Sequence, residues 1–506
     1  MHRLRSIHIS ARNPFSNKLR KQQTRRSKLN PERSCFPIST MEGLARDDSI
    51  IDIAAVENGL RSSMRNGDTA ALPVESSKES SMDNVDVAAV ETDLRFCMDN
   101  IESGNSLLST KCCIFVTPKL LFRNNEKAFL PTAFSFGTLH HGKPDLADTQ
   151  KIKLKYARDL ISRVSSWNDT ILNDLVKEVA SLEEEVRQSY SVPVKFSKDE
   201  FVKVLLVDGC FIIELFRKSG ADIPILQDDP IHGRACMLEV VGCDIFLLEN
   251  QIPWVVLDRL FSKTTLPNGK QSLIELALSS FEFLGIGALE METSLIPTTL
   301  AQSKHILELL RNLLVGSTMP EGGELDATSW ELIPSASSLI EAGVKFKKGN
   351  PSNGILDIKF SDGVLEIPTL VIHEATEALF RNLISFEQCY HWCDSRITSY
   401  AMLLDILINT PKDMDILCKN GIIQNWLNPE EATEIFNNLY NNTNVDTFYY
   451  LELCQEVNKY CRRRWPRWRA TYVRNHFSSP WAIASQAFAA VIFVLALLQT
   501  VFGIKK

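Results

Sequence analysis

The sequence motifs that mark the common enzyme classes are missing from this chain. There is no phosphate-binding P-loop, no Gly-x-Ser-x-Gly turn of a serine hydrolase and no His-Glu-x-x-His zinc helix. Gly285 and Gly287 begin a glycine pattern, but neither the third glycine nor the preceding strand of a dinucleotide-binding turn accompanies them. The sequence therefore predicts no catalytic residue, no cofactor and no metal ion, and we interpret the protein as a non-enzyme.

A secretory signal peptide is also missing, because no apolar block follows the basic residues near the start. The twelve cysteines are scattered, which in a long chain without such a signal is typical of free thiols in a reducing compartment. Cys389, His391 and Cys393 lie close in sequence, but on a helix positions 389 and 393 share a face while position 391 points away. That spacing argues against a zinc site.

Basic residues are concentrated at the start of the chain, and acidic residues predominate after it. Residues 1–40 contain ten Lys or Arg and one acid, Glu32, which leaves an excess of sixteen acidic side chains in residues 41–506. An acidic body has no general attraction for nucleic acid, so we expect no nucleic-acid partner. The basic, serine-rich leader 1–40 is typical of a disordered extension, of a misassigned start before Met41, or of an organellar transit peptide.

Residues 41–110 form an acidic segment that contains a short duplication. The copies 52–66 and 86–100 are identical at nine of fifteen positions, and in each copy the apolar residues recur at helical spacing. Two copies are too few for a solenoid, which generally needs three or more repeats to bury its faces. We interpret the pair as a duplicated amphipathic helix that packs on the body or on a partner.

Residues 111–475 make up the main body, and their pattern is mostly helical. Helical periodicity is clear over 148–189 and 199–218, and 238–261 reads as two helical pieces broken or kinked at Pro253. Around Ser361-Asp362-Gly363 the apolar residues alternate instead, which indicates a hairpin near 344–370. The predicted fold class is therefore mainly α with a small antiparallel β-sheet (α+β), with a disordered N-terminus and one C-terminal transmembrane helix.

The transmembrane helix is predicted over residues 481–504. This run contains no charged residue and is apolar on every side of a helix. At about 1.5 Å per residue it is long enough to cross a hydrocarbon core of roughly 30 Å. We therefore expect a single-pass, tail-anchored membrane protein that contacts the lipid bilayer through this helix.

The segment before the predicted span is basic and aromatic. Such residues suit lipid headgroups and the interfacial zone of a bilayer, and their excess over Lys505 and Lys506 after the span places the body in the cytosol by the positive-inside rule. We expect the plasma membrane rather than an organelle. The predicted membrane-interface residues are Arg462, Arg463, Arg464, Trp465, Arg467, Trp468, Arg469, Arg474 and Trp481.

Three polar residues leave an enzymatic alternative open. Asp208 and Glu214 lie inside apolar helical stretches, and His141 lies in a turn-rich segment. Buried carboxylates with perturbed pKa values occur in active sites, so an unrecognised hydrolase-like site is the alternative reading. Buried acids more often serve as structural partners of Arg, Lys or backbone donors, and we favour that interpretation.

Several strings of this sequence resemble one plant family, the proteins that carry the domain of unknown function numbered 247. The strings include LHHGKPDL at 139–146, FVKVLLVDGCFIIELF at 201–216, FLLENQIPWVVLDRLF at 246–261 and LDIKFSDGVLEIPTL at 356–370, and similar matches run in the family's order over roughly 110–504. The leader 1–40 and the duplicated helix fall outside the family's pattern. The resemblance implies a plant protein in a membrane, and it brings no catalytic residues.

The missing enzyme motifs, the large acidic body and the single predicted anchor together support one hypothesis about function. We expect a plant membrane-anchored protein of unknown biochemical activity, whose cytosolic helical body recognises another protein in a signalling or scaffold role.

Overall fold

The computed structural model describes residues 91, 92, 94, 95, 110–164, 169–266, 271–283, 298–316, 323, 324, 331–350, 354–445, 447–462, 488, 489, 491–496, 498 and 500. The leader 1–40, with its predicted disorder, and the first copy of the duplicated helix lie outside these residues. Only four residues of the second copy are described; they are helical, and Leu94 is 54% exposed.

Helices around one buried central helix make up the first half of the described body. They are α1 (Lys119–Phe122), α2 (Gln150–Val164), α3 (Asp169–Ser181), α4 (Glu183–Arg187), α5 (Lys198–Ser219), α6 (Ala235–Asp244), α7 (Trp254–Lys263) and α8 (Leu273–Phe283), with 3-10 turns at Glu126–Ala128 and Pro144–Thr149. Helix α5 starts at Ser197, whose hydroxyl accepts a hydrogen bond from the Glu200 N–H, the usual N-cap arrangement. Helices α2, α3, α7 and α8 pack around α5, which is why its sequence is apolar on nearly every side.

A second group of helices follows in the chain. It consists of α9 (Thr298–Ala301), α10 (Ile306–Val315), α11 (Ala336–Glu341), α12 (Thr376–Cys389), α13 (Arg396–Leu407), α14 (Pro411–Lys419), α15 (Pro429–Asn438) and α16 (Leu451–Cys461). Helix α12 packs against α10 and α13, and α15 packs against α13 and α14. Their apolar faces belong to the same large hydrophobic core as those of the first group.

Seven short strands accompany the helices in the described part of the chain. They are β1 (Gly323–Glu324), β2 (Lys345–Gly349), β3 (Lys359–Ser361), β4 (Val364–Pro368), β5 (Leu370–Ile372), β6 (Ile423–Asn425) and β7 (Thr447–Phe448). Strands β3 and β4 pair antiparallel about Asp362 and Gly363, which both have positive φ, as in a type I′ hairpin turn. The prediction of an antiparallel sheet is confirmed for β3 and β4 but is wrong for β2, which pairs parallel with β4 in the strand order β2-β4-β3. Strand β4 lies between β2 and β3 in the sheet. After β2 the chain first forms the outer strand β3, which runs opposite to β2. The hairpin then reverses the chain, so β4 runs in the same direction as β2.

The prediction of a C-terminal transmembrane helix is contradicted. A bilayer-spanning helix needs about 20 consecutive apolar residues, and no helix among the described residues is both long enough and apolar enough to meet that condition. Within 481–504 the described residues are 488, 489, 491–496, 498 and 500. Helix α5 has the length, with 22 residues, but it carries Asp208, Glu214 and Arg217 in its interior, and such charges oppose insertion.

The region 148–189, predicted as one helical stretch, is split into α2, α3 and α4. The prediction of two helical pieces over 238–261 is confirmed, because α6 ends at Asp244 and α7 begins at Trp254. Pro253 is the N-cap residue of α7. The connection between α6 and α7, residues 245–253, contains polar side chains that form hydrogen bonds to distant segments of the body.

Candidate functional site

The acids predicted as alternative catalytic groups are buried ion-pair partners. Asp208 on α5 lies 2.5 Å from the Lys153 ammonium of α2 and accepts a hydrogen bond from the Gly137 N–H at 3.0 Å. Burial raises the pKa of the Asp208 carboxyl, and Lys153 opposes that shift. His141 packs edge-on against Phe196, and burial lowers its pKa.

Glu214 belongs to a different polar cluster at the end of α5. It pairs with Arg163 of α2 and lies 3.4 Å from the Lys218 ammonium. Lys218 in turn lies 3.0 Å from the Asp229 carboxylate and over the Tyr156 ring. The structure therefore separates Glu214 from Asp208, and each has its own cationic partner.

A serine, a histidine and an aspartate meet in this second cluster, in an arrangement that the sequence analysis missed. The Ser219 hydroxyl lies 3.1 Å from His232 Nε2, and His232 Nδ1 lies 3.4 Å from an Asp229 oxygen. This is the order of contacts in a nucleophile–base–acid triad. No signal in the sequence points to it, because Ser219 ends a helix instead of occupying a Gly-x-Ser-x-Gly turn.

The surroundings of Ser219 do not suit nucleophilic catalysis. Its hydroxyl is at the C-terminal end of α5, where free carbonyl groups and the negative end of the helix dipole oppose an oxyanion. The N–H of Gly220, which follows the serine, is already bonded to the Phe216 carbonyl at 2.7 Å. Ser219 is only 1% exposed, so a substrate has no access to the hydroxyl in this conformation.

Asp229 is held as a fully used structural acceptor. Its carboxylate accepts hydrogen bonds from the Tyr156 hydroxyl at 2.6 Å, from the backbone N–H groups of Ile231 and His232, and from the Lys218 ammonium. Burial alone would raise the pKa of Asp229, but these hydrogen bonds outweigh it and hold the pKa well below its usual range. We interpret the cluster as a clamp that joins α2, the end of α5 and the loop after it.

Three consecutive polar residues before α7 connect distant parts of the body, and we call Glu249, Asn250 and Gln251 the ENQ hub. Glu249 accepts from the Thr117 N–H at 2.8 Å and lies 3.3 Å from the ring of buried His140. The Asn250 side chain accepts a hydrogen bond from the N–H of Phe136 and donates one to the carbonyl of Phe134.

The third member of the hub reaches the second group of helices. Gln251 donates to the Ile245 and Leu247 carbonyls at 2.7 and 2.8 Å and accepts from the Leu307 N–H of α10 at 3.2 Å. The ENQ hub is thus a set of side chains that satisfy buried backbone groups. Its polar atoms are used in holding the fold together.

The ENQ hub leads directly into the wall of an open cleft between α7, α8 and the start of the body. The cleft has a volume of about 550 Å³, within the usual range for ligand sites. Its lining is partly apolar and partly charged, with both signs of charge present. The residues that line it include Lys111, Cys113, Glu185, Trp254, Val255, Asp258, Ser272, Ile274, Ser303 and Lys304, and we call it the α7–α8 cleft.

The cleft contains no activated nucleophile among its described residues. Burial raises the pKa of the Cys113 thiol to about 12, so the thiolate is scarce at neutral pH. Ser272 is engaged as a helix cap, because its hydroxyl accepts from the Glu275 N–H while the Glu275 carboxylate accepts from the Ser272 N–H, a capping box. These features suit binding better than covalent chemistry.

Two further groups of residues from the sequence analysis can be placed. Cys389 ends α12 and Cys393 lies in the turn after it, and no group of three potential metal ligands is present in the described part of the chain. Of the predicted membrane-interface residues, Arg462 is described and pairs with Glu331. The other eight, Arg463, Arg464, Trp465, Arg467, Trp468, Arg469, Arg474 and Trp481, lie outside the described residues.

Comparison with known protein families gives a match over residues 114–495 to the model of DUF247, described as a plant protein of unknown function. The match covers well over half of the chain. The chain belongs to the DUF247 family. This confirms the resemblance drawn from the sequence strings.

Two relatives from Arabidopsis thaliana are similar to this DUF247 chain over most of their length. One, named UPF0481 protein At3g47200, is 28% identical over 418 residues, which cover 78% of this chain and 86% of the relative. The other, named Putative UPF0481 protein At3g02645, is 21% identical over 480 residues, which cover 76% of this chain and 89% of the relative. No solved structure matches the chain.

Two of the strings that carried the DUF247 resemblance, 139–146 and 246–261, contact each other at the ENQ hub. His140 of the string 139–146 lies beside Glu249 of the string 246–261. Asp208 of the string 201–216 accepts a hydrogen bond from the N–H of Gly137, two residues before the first string. These parts of the sequence are explained by their structural roles. Family membership supplies no reaction, so the function has to be argued from the α7–α8 cleft.

Proposed function

We propose that this DUF247 protein is a non-enzymatic recognition protein, whose helical body binds a segment of another protein in the α7–α8 cleft. The observation that supports the proposal is the cleft itself, an open cavity of about 550 Å³ beside buried polar clusters that are closed to solvent. A protein partner suits it better than nucleic acid, because the chain carries a formal net charge of −7 and phosphate backbones require basic surfaces.

The lining of the cleft is suited to a peptide segment, because it combines apolar and charged side chains. Trp254, Val255 and Ile274 offer apolar contact, and charged side chains of both signs also line the cleft. Interfaces that bind tightly commonly place a Trp in a partly enclosed pocket surrounded by polar residues. We infer that Trp254 is the main apolar contact for the partner.

The test uses the full chain and one charge introduced into the cleft. Val255 is 37% exposed on α7, so Val255→Glu alters the cleft surface without placing a charge in the core. Ile340 is 40% exposed on α11 and does not line the cleft, so Ile340→Glu is the matched control. Partners are captured in parallel from plant cells that express the wild-type chain or either variant, and circular dichroism checks that all three are folded.

Loss of a partner with Val255→Glu, together with its retention by Ile340→Glu, supports binding in the cleft. Equal capture by all three chains contradicts the proposal.

A hydrolase centred on Ser219 is the second candidate, because the Ser219, His232 and Asp229 contacts follow the triad order. The buried position of Ser219 and the bonded Gly220 N–H count against it.

A further inference from the structure

One corner of the α7–α8 cleft combines an indole with a carboxylate. Trp254 and Asp258 are four residues apart on α7, and both line the cleft. Residues at this spacing lie on the same face of a helix, one turn apart. The ring and the carboxylate are therefore neighbours on the wall of a single cavity.

The two lysines that line the cleft are already engaged by groups other than Asp258. Lys111 pairs with Glu185 at 3.2 Å. Lys304 donates to the Tyr390 hydroxyl, and its ammonium lies 4.6 Å from the centre of the Tyr390 ring. Neither is left to neutralise Asp258.

Other basic residues of α7 are engaged as well. Arg259 and Lys263 both pair with Glu178 of α3, at 2.8 and 2.7 Å. Asp258 is exposed, and over the described ranges of the chain no ion pair to its carboxylate is formed. The corner thus combines a carboxylate that has no ion-pair partner among the described residues with an aromatic face that attracts cations.

We propose that this corner binds an arginine side chain of the partner segment, an inference that rests on the proposed recognition function. The guanidinium would stack on the Trp254 indole and direct its N–H groups to the Asp258 carboxylate. Arginine fits better than lysine, because its planar group can stack and form a fork of hydrogen bonds at once.

The test compares three short peptides on the full chain: acetyl-Gly-Ala-Arg-Ala-Gly-amide and the same peptide with citrulline or lysine in the central position. Citrulline keeps the shape of arginine but carries no charge. Saturation-transfer NMR should show contact with the arginine side chain, and its signal should fall at least fivefold with citrulline. It should fall by a similar factor when the arginine peptide meets Asp258→Asn, while Asp415→Asn, which removes an exposed acid on α14 outside the cleft, should leave it unchanged.

Equal signals from the arginine and citrulline peptides would overturn the proposal, and so would full binding by Asp258→Asn. Equal signals from arginine and lysine would overturn the assignment to a guanidinium. The recognition function can be judged separately through partner capture. If capture is lost with Val255→Glu but survives Asp258→Asn, the cleft remains the binding site and the arginine inference alone fails; if neither variant affects capture, both fail.

Discussion

Lys153 and Asp208 show how this fold accommodates buried charge. Their side chains are 0% and 2% exposed and lie 2.5 Å apart, and Lys153 also donates to the Ser135 carbonyl. Removing one member of such a pair leaves an uncompensated buried charge, which typically costs about 3–5 kcal/mol. The sequence correctly places Asp208 within an apolar stretch, but its partner is 55 residues away, and no local pattern identifies it.

His305 is a neutral buried histidine whose two ring nitrogens have defined roles. Nδ1 accepts from the Glu308 N–H at the start of α10, so Nε2 carries the proton and donates to the Cys113 carbonyl at 3.0 Å. If Nδ1 were also protonated, its N–H would point at the Glu308 N–H, and two hydrogen-bond donors would then face each other. Burial accordingly lowers the pKa of His305 from 6.5 to about 3.

This depressed pKa predicts a pH dependence of stability. Between pH 6.5 and about 3 the unfolded chain binds a proton at His305 that the folded protein does not, so the free energy of unfolding decreases as the pH falls through this window. The contribution approaches about 1.4 kcal/mol per pH unit. His305→Asn keeps a helix-capping acceptor but cannot titrate, so its urea-unfolding free energy should fall less steeply with pH. Parallel curves for the two proteins would contradict the prediction.

Ser219 gives a second prediction about a single side chain. We expect a fluorophosphonate probe to leave Ser219 unlabelled, because the hydroxyl is 1% exposed and the Gly220 N–H is not available to an oxyanion. Mass spectrometry of the labelled full chain, with a known serine hydrolase treated alongside, checks this. Ser219→Ala should lower the free energy of unfolding by about 1 kcal/mol through the lost His232 contact. A probe adduct on Ser219 that disappears with His232→Gln would instead establish the triad as functional.

The hairpin of β3 and β4 is the element most directly predictable from sequence, because Asp362-Gly363 between alternating apolar residues specifies the turn locally. The pairing of β2 could not be obtained in the same way. Its parallel register with β4 depends on which edge of the hairpin it meets, and that choice is made by tertiary packing. The helix over 199–218 was also predictable, because a long apolar run that follows an N-cap serine favours a helix over a strand.

Gly363 shows what fixes this hairpin against the rest of the body. Its φ is +79°, and a Cβ at this position would overlap the Tyr460 ring of α16. Gly142 has the same φ of +79° with no atom near its Cβ position, which makes it a matched control. Both substitutions to Ala incur the cost of left-handed backbone, about 1–2 kcal/mol, but only Gly363→Ala also displaces a side chain.

We therefore expect thermal unfolding to show a larger loss for Gly363→Ala than for Gly142→Ala, by about 1–3 kcal/mol. Adding Tyr460→Leu to Gly363→Ala should recover part of the excess. Equal losses of stability for the two substitutions would show that the Tyr460 ring moves aside at no cost in free energy, and would contradict the prediction.

Across the body as a whole, the family resemblance was fully readable from the sequence, whereas the arrangement of the polar residues was not. The FLLENQIPWVVLDRLF string identified DUF247, yet Glu249, Asn250 and Gln251 find partners between 56 and 132 residues away in sequence. The α7–α8 cleft was equally invisible, because its lining comes from segments that begin at residue 110 and end at residue 304. The apolar character and length of 481–504, with its basic and aromatic flank, also led to the wrong prediction of a spanning helix.

Asn250 offers a test of whether the ENQ hub holds the body together as one cooperative unit. Its amide donates to the carbonyls of Phe134 and Asp244, both at 2.8 Å, and its oxygen accepts from Phe136. Asn250→Asp keeps the size of the side chain but places a carboxylate oxygen against two carbonyl oxygens. A buried group left in this state costs about 3 kcal/mol or more, whereas Asn438→Asp, at an exposed position of α15, should cost less than about 1 kcal/mol.

The shape of the unfolding transition decides the role of the hub. Because Asn250 ties the segment at 134–136 to the connection before α7, its replacement should destabilise the whole body together. We expect one urea transition with an unchanged slope and a lower midpoint, followed in parallel by tryptophan fluorescence and far-ultraviolet circular dichroism. Two separated transitions would mean that the segment around Phe134 detaches while the helices remain folded, and the hub would then be a local fastening rather than the centre of the fold.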